Sequence, residues 1–341
     1  MVLVKAAVIM RPGPPEKAFE IKDLEDPKVL KGHVLVKTRF CSVNHLDLWQ
    51  RRGSPYFPVE YPRIPGSDAV GVVEEVGENV ENIKRGDLVV VAPGWGDGVC
   101  TKCLMGRENE CENYTILGYT IPGCYAEKIL VPATVVYKIR EEVDLAELSS
   151  IPLTFTTAYH GLVTKAGLGP DESVFIWSSS GGAGIASLKI AKLLNAHVIA
   201  HTRSEWKAAI LEKLGADEVF VGDYRSAIEK YRSKIDVVVD YIGSSTFNLS
   251  IELLRKGGRI VLFGVTSGAE VNVNLRSLYL KKSSIYGVYI GSRWEFEKVL
   301  KYYLKGLIKP YIFKIMRIEE VVEAHKILEE GASIGKIVLS Y

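Results

Sequence analysis

The spacing of apolar residues divides the chain into two regions of different character. Up to about residue 136, short apolar runs such as 34–38 and 69–73 are separated by Gly and Pro, which predicts a β-rich region. After about residue 146, apolar strands alternate with helical spacing, starting with a strand at 173–177 and a helix at 185–194. This alternation is typical of a doubly wound parallel sheet. A closing apolar run at 336–339 predicts one more strand.

These patterns predict an α/β protein of two domains. At 341 residues the chain exceeds the usual size of one compact core. The α/β region is expected over 149–286. The closing strand lies far from that sheet in sequence and could return to the first region. Residues 1–148 and 287–341 are therefore expected to form one discontinuous β-rich domain.

A glycine-containing turn joins the strand at 173–177 to the helix after it. A tight turn, a close approach of the backbone and a helix N-terminus are what a dinucleotide pyrophosphate requires. The strict G-x-G-x-x-G pattern holds at Gly181 and Gly184 but has Ser179 in its first position. The alternative is an ordinary βα turn, which the strand before and the helix after make less favoured. The residues predicted to bind the coenzyme here are Ser179, Gly181, Gly182, Ala183 and Gly184.

The end of the next predicted strand indicates which coenzyme is used. An acidic residue about 20 positions into the motif commonly binds the ribose hydroxyl of NAD. Here that place is taken by Thr202, followed by Arg203 and Ser204, with Lys207 one turn on. Cationic and hydroxyl side chains suit a 2′-phosphate, so the sequence favours NADPH over NADH. The alternative for Arg203 is a solvated surface charge.

Three of the five cysteines cluster after a Gly-rich turn. With Asp97, the residues Cys100, Cys103 and Cys111 form the spacing D-x2-C-x2-C-x7-C. Thiolates and a carboxylate at this spacing can close a tetrahedral zinc site that stabilises a loop and does no chemistry. The alternatives are three reduced cysteines without metal, or a disulfide between two of them. We predict one structural zinc.

Composition and charge limit the possible partners. The 43 basic and 41 acidic residues give a net charge of +2, which argues against nucleic acid or a membrane as a dominant partner. No signal peptide or membrane-length apolar run is visible, so a cytoplasmic location is expected. A small-molecule substrate is the remaining expectation.

The ordered motifs resemble the medium-chain dehydrogenase/reductase superfamily. They run over nearly the whole chain, at 65–68, 71–77, 86–89, 106–109, 123–127, 152–159, 214–217 and 335–339. The resemblance implies a GroES-like catalytic domain and a Rossmann coenzyme domain. It also implies a homodimer or homotetramer. The first ligand of its structural zinc lobe is usually a cysteine, and Asp97 falls at that position.

The positions of the superfamily's catalytic zinc ligands have lost their metal-binding side chains. The resemblance places Asn44, Ser67 and Leu153 there. The patterns Asn44-His45-Leu46-Asp47 and Gly66-Ser67-Asp68 look like the zinc-free quinone-oxidoreductase and enoyl-reductase branch. This implies hydride transfer to an activated C=C or a quinone: an enone, an enal, a quinone or an enoyl thioester.

Three residues are candidates for this chemistry. Asn44 is expected to donate to the acceptor carbonyl or to position the nicotinamide ribose, and its alternative is a loop-stabilising Asn. Tyr56 matches a proton-donating Tyr of enoyl-thioester reductases, with packing as the alternative. Thr157 matches a residue that touches the coenzyme, and its alternative is a Thr in the interior of a helix.

Two other functions stay open. The first is an alcohol dehydrogenase whose catalytic zinc is bound by His45, Asp47 or Asp68. The second is a non-enzymatic NADPH-binding protein.

Overall fold

The computed structural model describes residues 3–53 and 58–341 and divides the chain into two compact units. Unit 1 comprises residues 1–153, 292–304 and 310–341, and unit 2 comprises 154–291 and 305–309. The sequence pattern predicts two changes of domain, at 148/149 and 286/287. The units divide at 153/154 and 291/292, and the short segment 305–309 also belongs to unit 2.

The first part of the chain forms mainly short strands. A 3-10 helix at Glu108–Glu110 and another at Ala133–Val135 lie between them. The strands and helices are β1 Leu3–Ile9, α1 Pro15–Ala18, β2 Phe19–Glu25, β3 His33–Ser42, α2 His45–Arg52, β4 Asp68–Val76, β5 Leu88–Val91, β6 Gly94–Trp95, α3 Thr101–Leu104, β7 Thr115–Ile116, β8 Lys128–Pro132, β9 Val136–Lys138 and α4 Leu145–Leu148.

The middle of the chain alternates strands and helices. Its first helix continues as a π-helix at His160–Lys165. The elements are α5 Pro152–Tyr159, β10 Ser173–Ile176, α6 Gly182–Leu193, β11 His197–Thr202, α7 Glu205–Lys213, β12 Glu218–Val221, α8 Ser226–Tyr231, β13 Ile235–Asp240, α9 Phe247–Leu253, β14 Leu254–Leu262, α10 Leu275–Lys281 and β15 Ser284–Gly287.

The end of the chain adds four elements to unit 1. A 3-10 helix at Ile318–Glu320 leads into the last helix. The elements are α11 Arg293–Leu304, β16 Ile312–Arg317, α12 Val321–Glu329 and β17 Lys336–Ser340.

Unit 2 is a doubly wound parallel sheet, which confirms the predicted fold class. Its strand order is β12-β11-β10-β13-β14-β15, and every neighbouring pair is parallel. The central strand β10 is fully buried at Val174, Phe175 and Ile176. A parallel strand covered by helices on both faces needs such an uninterrupted apolar run. Helix α6 starts at Gly182, earlier than the predicted 185, because its first three residues are Gly, Ala and Gly, which carry no large apolar side chain for the spacing to detect.

Unit 1 is built on a β-rich core, also as predicted. Its seven-stranded sheet has the order β16-β17-β3-β4-β5-β9, with β8 paired to β3. The closing strand β17 is antiparallel to β3, with Leu339 opposite Cys41. Strand β3 therefore pairs with the closing strand β17 on one side and with β4 on the other.

A disulfide joins Cys41 of β3 to Cys124, with their Cα atoms 6.0 Å apart and both side chains fully buried. The sequence spacing gives no indication of this pair, which is separated by 83 positions. None of the helices formed by the described residues has both the length and the apolar character needed to cross a bilayer.

Candidate functional site

The predicted phosphate loop lies at the carboxyl end of β10, where the strand order of the sheet reverses. Strands β11 and β13 flank β10 on opposite sides, so connections leave in opposite directions at this point. A crevice at such a switch point is the usual ligand site of an open α/β sheet. Gly181 caps the N-terminus of α6, whose first backbone N–H groups are free for an anion.

The glycines of this loop serve two different purposes. A Cβ atom on Gly184 would lie 2.4 Å from the backbone oxygen of Ser179, so only glycine allows the helix to pack against the loop. A Cβ atom on Gly181 would meet no atom within 4 Å. The chain's own packing therefore does not require glycine at 181, and open space lies beside it.

A histidine that the sequence analysis did not single out holds this loop. His201, at the end of β11, is fully buried. Its Nδ1 accepts from the backbone N–H of Ser178 at 3.1 Å, and its Nε2 is 3.1 Å from the carbonyl oxygen of Gly222. Together these bonds select the neutral tautomer with the proton on Nε2. Burial lowers the pKa of His201 to about 4, which keeps the ring neutral.

The hydroxyl of Ser179 is also used within the protein. It donates to the carbonyl of Ile176 at 2.6 Å and accepts from the backbone N–H of His201 at 3.0 Å. The loop is thus fastened to β10 and β11 through Ser179, and its predicted contact with the coenzyme stays a prediction.

The residues predicted to bind the ribose and its 2′-phosphate lie at the end of β11 and just after it. Thr202 is buried and accepts from the backbone N–H of Ser204 at 3.2 Å. Arg203 is exposed, and its guanidinium lies 5.6 Å from the ring centre of Tyr224. Lys207 is buried, and both this burial and the charge of Arg203 lower its pKa. The positive charge of Arg203 therefore acts at the Lys207 ammonium.

The structure brings the four predicted zinc ligands into one cluster. One ligand atom from each of Asp97, Cys100, Cys103 and Cys111 lies within 4.8 Å of all the others. Tetrahedral zinc bonds of about 2.0 to 2.3 Å place ligand atoms roughly 3.3 to 3.8 Å apart, so small side-chain movements would let these four residues close on one ion. Asp97 also accepts from the backbone N–H groups of Cys100 and Val99, both at 3.0 Å, which hold the pKa of its carboxyl well below the usual range.

Unit 1 contains a second polar cluster, which is buried and built around Asp68. Its carboxylate oxygen Oδ2 accepts from Ser42 Oγ and from Asn44 Nδ2, both at 2.8 Å, and from Lys336 Nζ at 3.2 Å. The other oxygen, Oδ1, accepts from the backbone N–H of Leu153 at 2.7 Å. Asn44 and Leu153 are two of the three positions that bind catalytic zinc in the resemblance. We call Ser42, Asn44, Asp68 and Lys336 the Asp68 cluster.

Neighbouring backbone contacts fix the position of Asn44. It caps the N-terminus of α2, and its backbone N–H donates to Asp47 at 2.8 Å. Asp47 also accepts from the backbone N–H of Gly66 at 3.1 Å. Burial raises the pKa of Asp47 to about 7. Asp47 is therefore a structural anchor between α2 and the Gly66 turn.

The residues around Asp68 do not suit a catalytic zinc ion. The amide oxygen of Asn44 accepts from the Lys336 ammonium at 2.6 Å, so the first ligand position faces a cation. Leu153 offers no donor side chain. In the described ranges 3–53 and 58–341, the only group of three or more His, Cys, Asp or Glu side chains close enough to share a metal ion is that of the Asp97 lobe. His45, Asp47 and Asp68 form no such group.

The three candidate catalytic residues differ in how far the structure describes their surroundings. Asn44 is buried, and its amide is already bonded to Asp68, Lys336 and the carbonyl of Ser42. Donation to a substrate carbonyl would require one of these bonds to exchange. Thr157 lies buried in α5 of unit 2. Tyr56 lies outside the described residues. The sequence analysis did not name Lys336 as a candidate site residue. The feature that could have indicated it is a charged residue at the start of an otherwise apolar strand.

Comparison with known proteins identifies the class. The profile of the alcohol dehydrogenase GroES-like domain matches residues 30–141, and that of the zinc-binding dehydrogenases matches 182–305. The chain belongs to the medium-chain dehydrogenase/reductase superfamily. It is an NAD(P)-dependent oxidoreductase.

Individual relatives cover the whole chain but differ in activity. Acryloyl-coenzyme A reductase of Sulfurisphaera tokodaii is 32% identical over 98% of this chain and 99% of its own. Human quinone oxidoreductase is 29% identical over 99% and 98%. The crystal structure of an NAD-dependent alcohol dehydrogenase is 34% identical, covers 99% of both chains and has a TM-score of 0.92.

Proposed function

We propose that this protein transfers hydride from NADPH to an activated C=C bond or a quinone without a catalytic zinc ion. The observation that carries the proposal is the Asp68 cluster. Where a metal site would need three ligand side chains, this chain has an amide bonded to an ammonium, a serine and a leucine. The relatives named acryloyl-coenzyme A reductase and quinone oxidoreductase also support it.

The chemistry requires little from the protein beyond positioning. When bound, NADPH supplies a hydride to the β-carbon; the C=C electron pair moves to the carbonyl oxygen, and a proton added at the α-carbon completes the saturated product. For a quinone, hydride and proton together give the hydroquinone. The protein has to hold the acceptor and stabilise negative charge on its oxygen. Asn44 is the proposed polar contact and Tyr56 the proposed proton donor.

The preference for NADPH rests on the residues after β11. Arg203 and Lys207 provide positive charge, and Thr202 and Ser204 provide hydroxyls, where an NAD-binding domain usually has a carboxylate. Arg203 is exposed and lies over Tyr224, so its guanidinium is held in place and remains accessible to a phosphate.

One structural zinc per chain is proposed for the Asp97 lobe. Asp97, Cys100, Cys103 and Cys111 would hold it, and with four protein ligands it would stabilise the loop. The ion would take no part in hydride transfer.

Alcohol oxidation is the second candidate, because an alcohol dehydrogenase is among the similar solved structures. One experiment separates the two functions. Purified protein is assayed for NADPH oxidation with an enone, an enal, a quinone and an enoyl thioester, and for NAD(P)⁺ reduction with primary and secondary alcohols. Metal content is measured on the same sample. Reduction of an acceptor with one zinc per chain supports the proposal. Alcohol oxidation with two zinc ions per chain would replace it.

Self-association to a homodimer or homotetramer is also proposed. Strand β15 is the last strand of its sheet among the described residues, and α10 precedes it. Several large apolar side chains on or next to these elements are exposed: Leu275, Tyr279, Leu280, Ile285 and Tyr289. Exposed apolar side chains beside a free sheet edge are typical of a surface that associates with a partner. Sedimentation velocity at several protein concentrations tests this directly.

A further inference from the structure

Lys336 is the buried cation of the Asp68 cluster. Its side chain is 4% exposed and that of Asp68 is fully buried. A buried ammonium is expensive unless its charge is balanced and its N–H groups are bonded. Lys336 Nζ meets this need with two acceptors from distant parts of the chain, Asn44 Oδ1 at 2.6 Å and Asp68 Oδ2 at 3.2 Å.

These two bonds determine how the Asn44 amide is oriented. Its oxygen faces the ammonium, and its nitrogen donates to Asp68 Oδ2 at 2.8 Å and to the Ser42 carbonyl at 3.3 Å. A flipped amide would set its oxygen against the carboxylate and its NH₂ group against the ammonium. Both contacts would be repulsive, so Lys336 and Asp68 together permit one orientation.

The carboxylate cannot move to compensate. Asp68 accepts four hydrogen bonds, including one from the backbone N–H of Leu153 at 2.7 Å. Lys336 has three N–H donors, and two of them have acceptors here. The ammonium is thus the member of the cluster that retains an unused donor and carries the positive charge.

We propose that Lys336 is a positioning residue for hydride transfer. It fixes the Asn44 amide so that the N–H group on the 3.3 Å bond to the Ser42 carbonyl is the one that an acceptor oxygen takes over, and it places a positive charge beside the acceptor site. The proposal rests on the reductase function proposed above. A fixed charge in a buried site favours the transition state, where negative charge develops on the acceptor oxygen, more than it favours the neutral ground state. Loss of Lys336 should therefore lower kcat and leave the KM for the acceptor almost unchanged.

The test uses the paired variant D68N/K336M. K336M alone leaves a buried carboxylate without its cation and could fail to fold. The double change removes both charges. The amide oxygen introduced at position 68 can still accept from the backbone N–H of Leu153, and its NH₂ group can donate to Ser42 Oγ. D87N/K138M is the matched control, because Lys138 and Asp87 form an ion pair in the same unit with a 2.6 Å Nζ–Oδ1 distance. K336R is the conservative variant.

Each variant is compared with the wild type in the reaction that the wild type catalyses fastest, in either direction. D68N/K336M should keep its NADPH Kd and acceptor KM within about threefold, and its kcat should fall roughly 10- to 100-fold. K336R should recover part of that loss, and D87N/K138M should lose none. A kcat of D68N/K336M within about threefold of the wild type would overturn the proposal and leave Lys336 as the partner in a structural ion pair.

The outcomes for the two proposals stay separate. If the wild type oxidises alcohols and reduces none of the acceptors, the reductase function fails. The variant-to-wild-type ratios are then measured for alcohol oxidation, where an alkoxide oxygen also carries negative charge, and they still support or overturn the role of Lys336.

Discussion

The neutral His201 ring should control coenzyme affinity through one of its two nitrogen atoms. Nδ1 accepts from the Ser178 N–H in the phosphate loop, whereas Nε2 faces the Gly222 carbonyl. Asparagine places an acceptor oxygen near the position of Nδ1, and glutamine places a donor nitrogen near that of Nε2. H201N therefore keeps the bond to the loop, and H201Q keeps the bond to Gly222.

The size of the effect follows from the bond that each variant loses. A buried N–H without an acceptor costs about 1–3 kcal/mol. Ser178 is half-buried, so the lower end, about 1 kcal/mol, applies to H201Q. If this cost falls on the conformation of the loop that binds NADPH, the Kd rises about fivefold. Each variant loses one hydrogen bond and the packing of the buried ring against Phe175 and Trp177, so both should melt at least about 2–4 °C below the wild type.

The assay is fluorescence titration of NADPH into the three proteins, with thermal unfolding on the same samples. H201N should bind within about twofold of the wild type and H201Q about fivefold more weakly. The matched loss of stability serves as the control for general damage. Equal affinities in all three proteins, or weaker binding by H201N than by H201Q, would refute the reasoning.

Three further predictions concern other parts of the chain. Replacing Arg203 with Glu should remove a cation and place a carboxylate next to Thr202, which holds the usual acidic position of NAD-binding domains. The NADPH-to-NADH ratio of kcat/KM should then fall by about tenfold or more, and an unchanged ratio would remove Arg203 from the phosphate site. D97C should keep one zinc per chain, whereas D97A should lose zinc to a chelator about 10–100-fold more readily than the wild type, as measured by mass spectrometry. Equal zinc retention by D97A and the wild type would show that Asp97 is not a ligand. Burial lowers the pKa of His201 to about 4 and that of His325 to about 3, so the unfolded chain binds more protons than the native chain below about pH 6.5. The free energy of unfolding, measured with urea, should therefore fall as the pH drops from about 6.5 to about 3, and a smaller fall is expected in H201N; identical slopes for H201N and the wild type would contradict the assignment to His201.

Local sequence determined the fold class and two of the candidate sites. The spacing of apolar residues changes where short strands give way to alternating strands and helices. This spacing shows which face of each segment is buried, and it depends only on residues a few positions apart. The zinc lobe lies within 15 residues, from Asp97 to Cys111, so its spacing nearly fixes its geometry. The loop from Ser179 to Gly184 could be recognised because a tight turn between a strand and a helix requires glycine where the backbone packs closely.

Only the tertiary structure decided which distant polar groups meet. Lys336 reaches Asn44 and Asp68 because β17 pairs with β3, and β3 pairs with β4, and no local period encodes those pairings. The same pairings bring Cys41 into the buried core where it meets Cys124. The inward direction of the Ser179 hydroxyl and the bond from Ser178 to His201 depend on how β10 lies beside β11. Sequence patterns show that a residue is buried, but its bonding partners depend on which strands and turns fold against it.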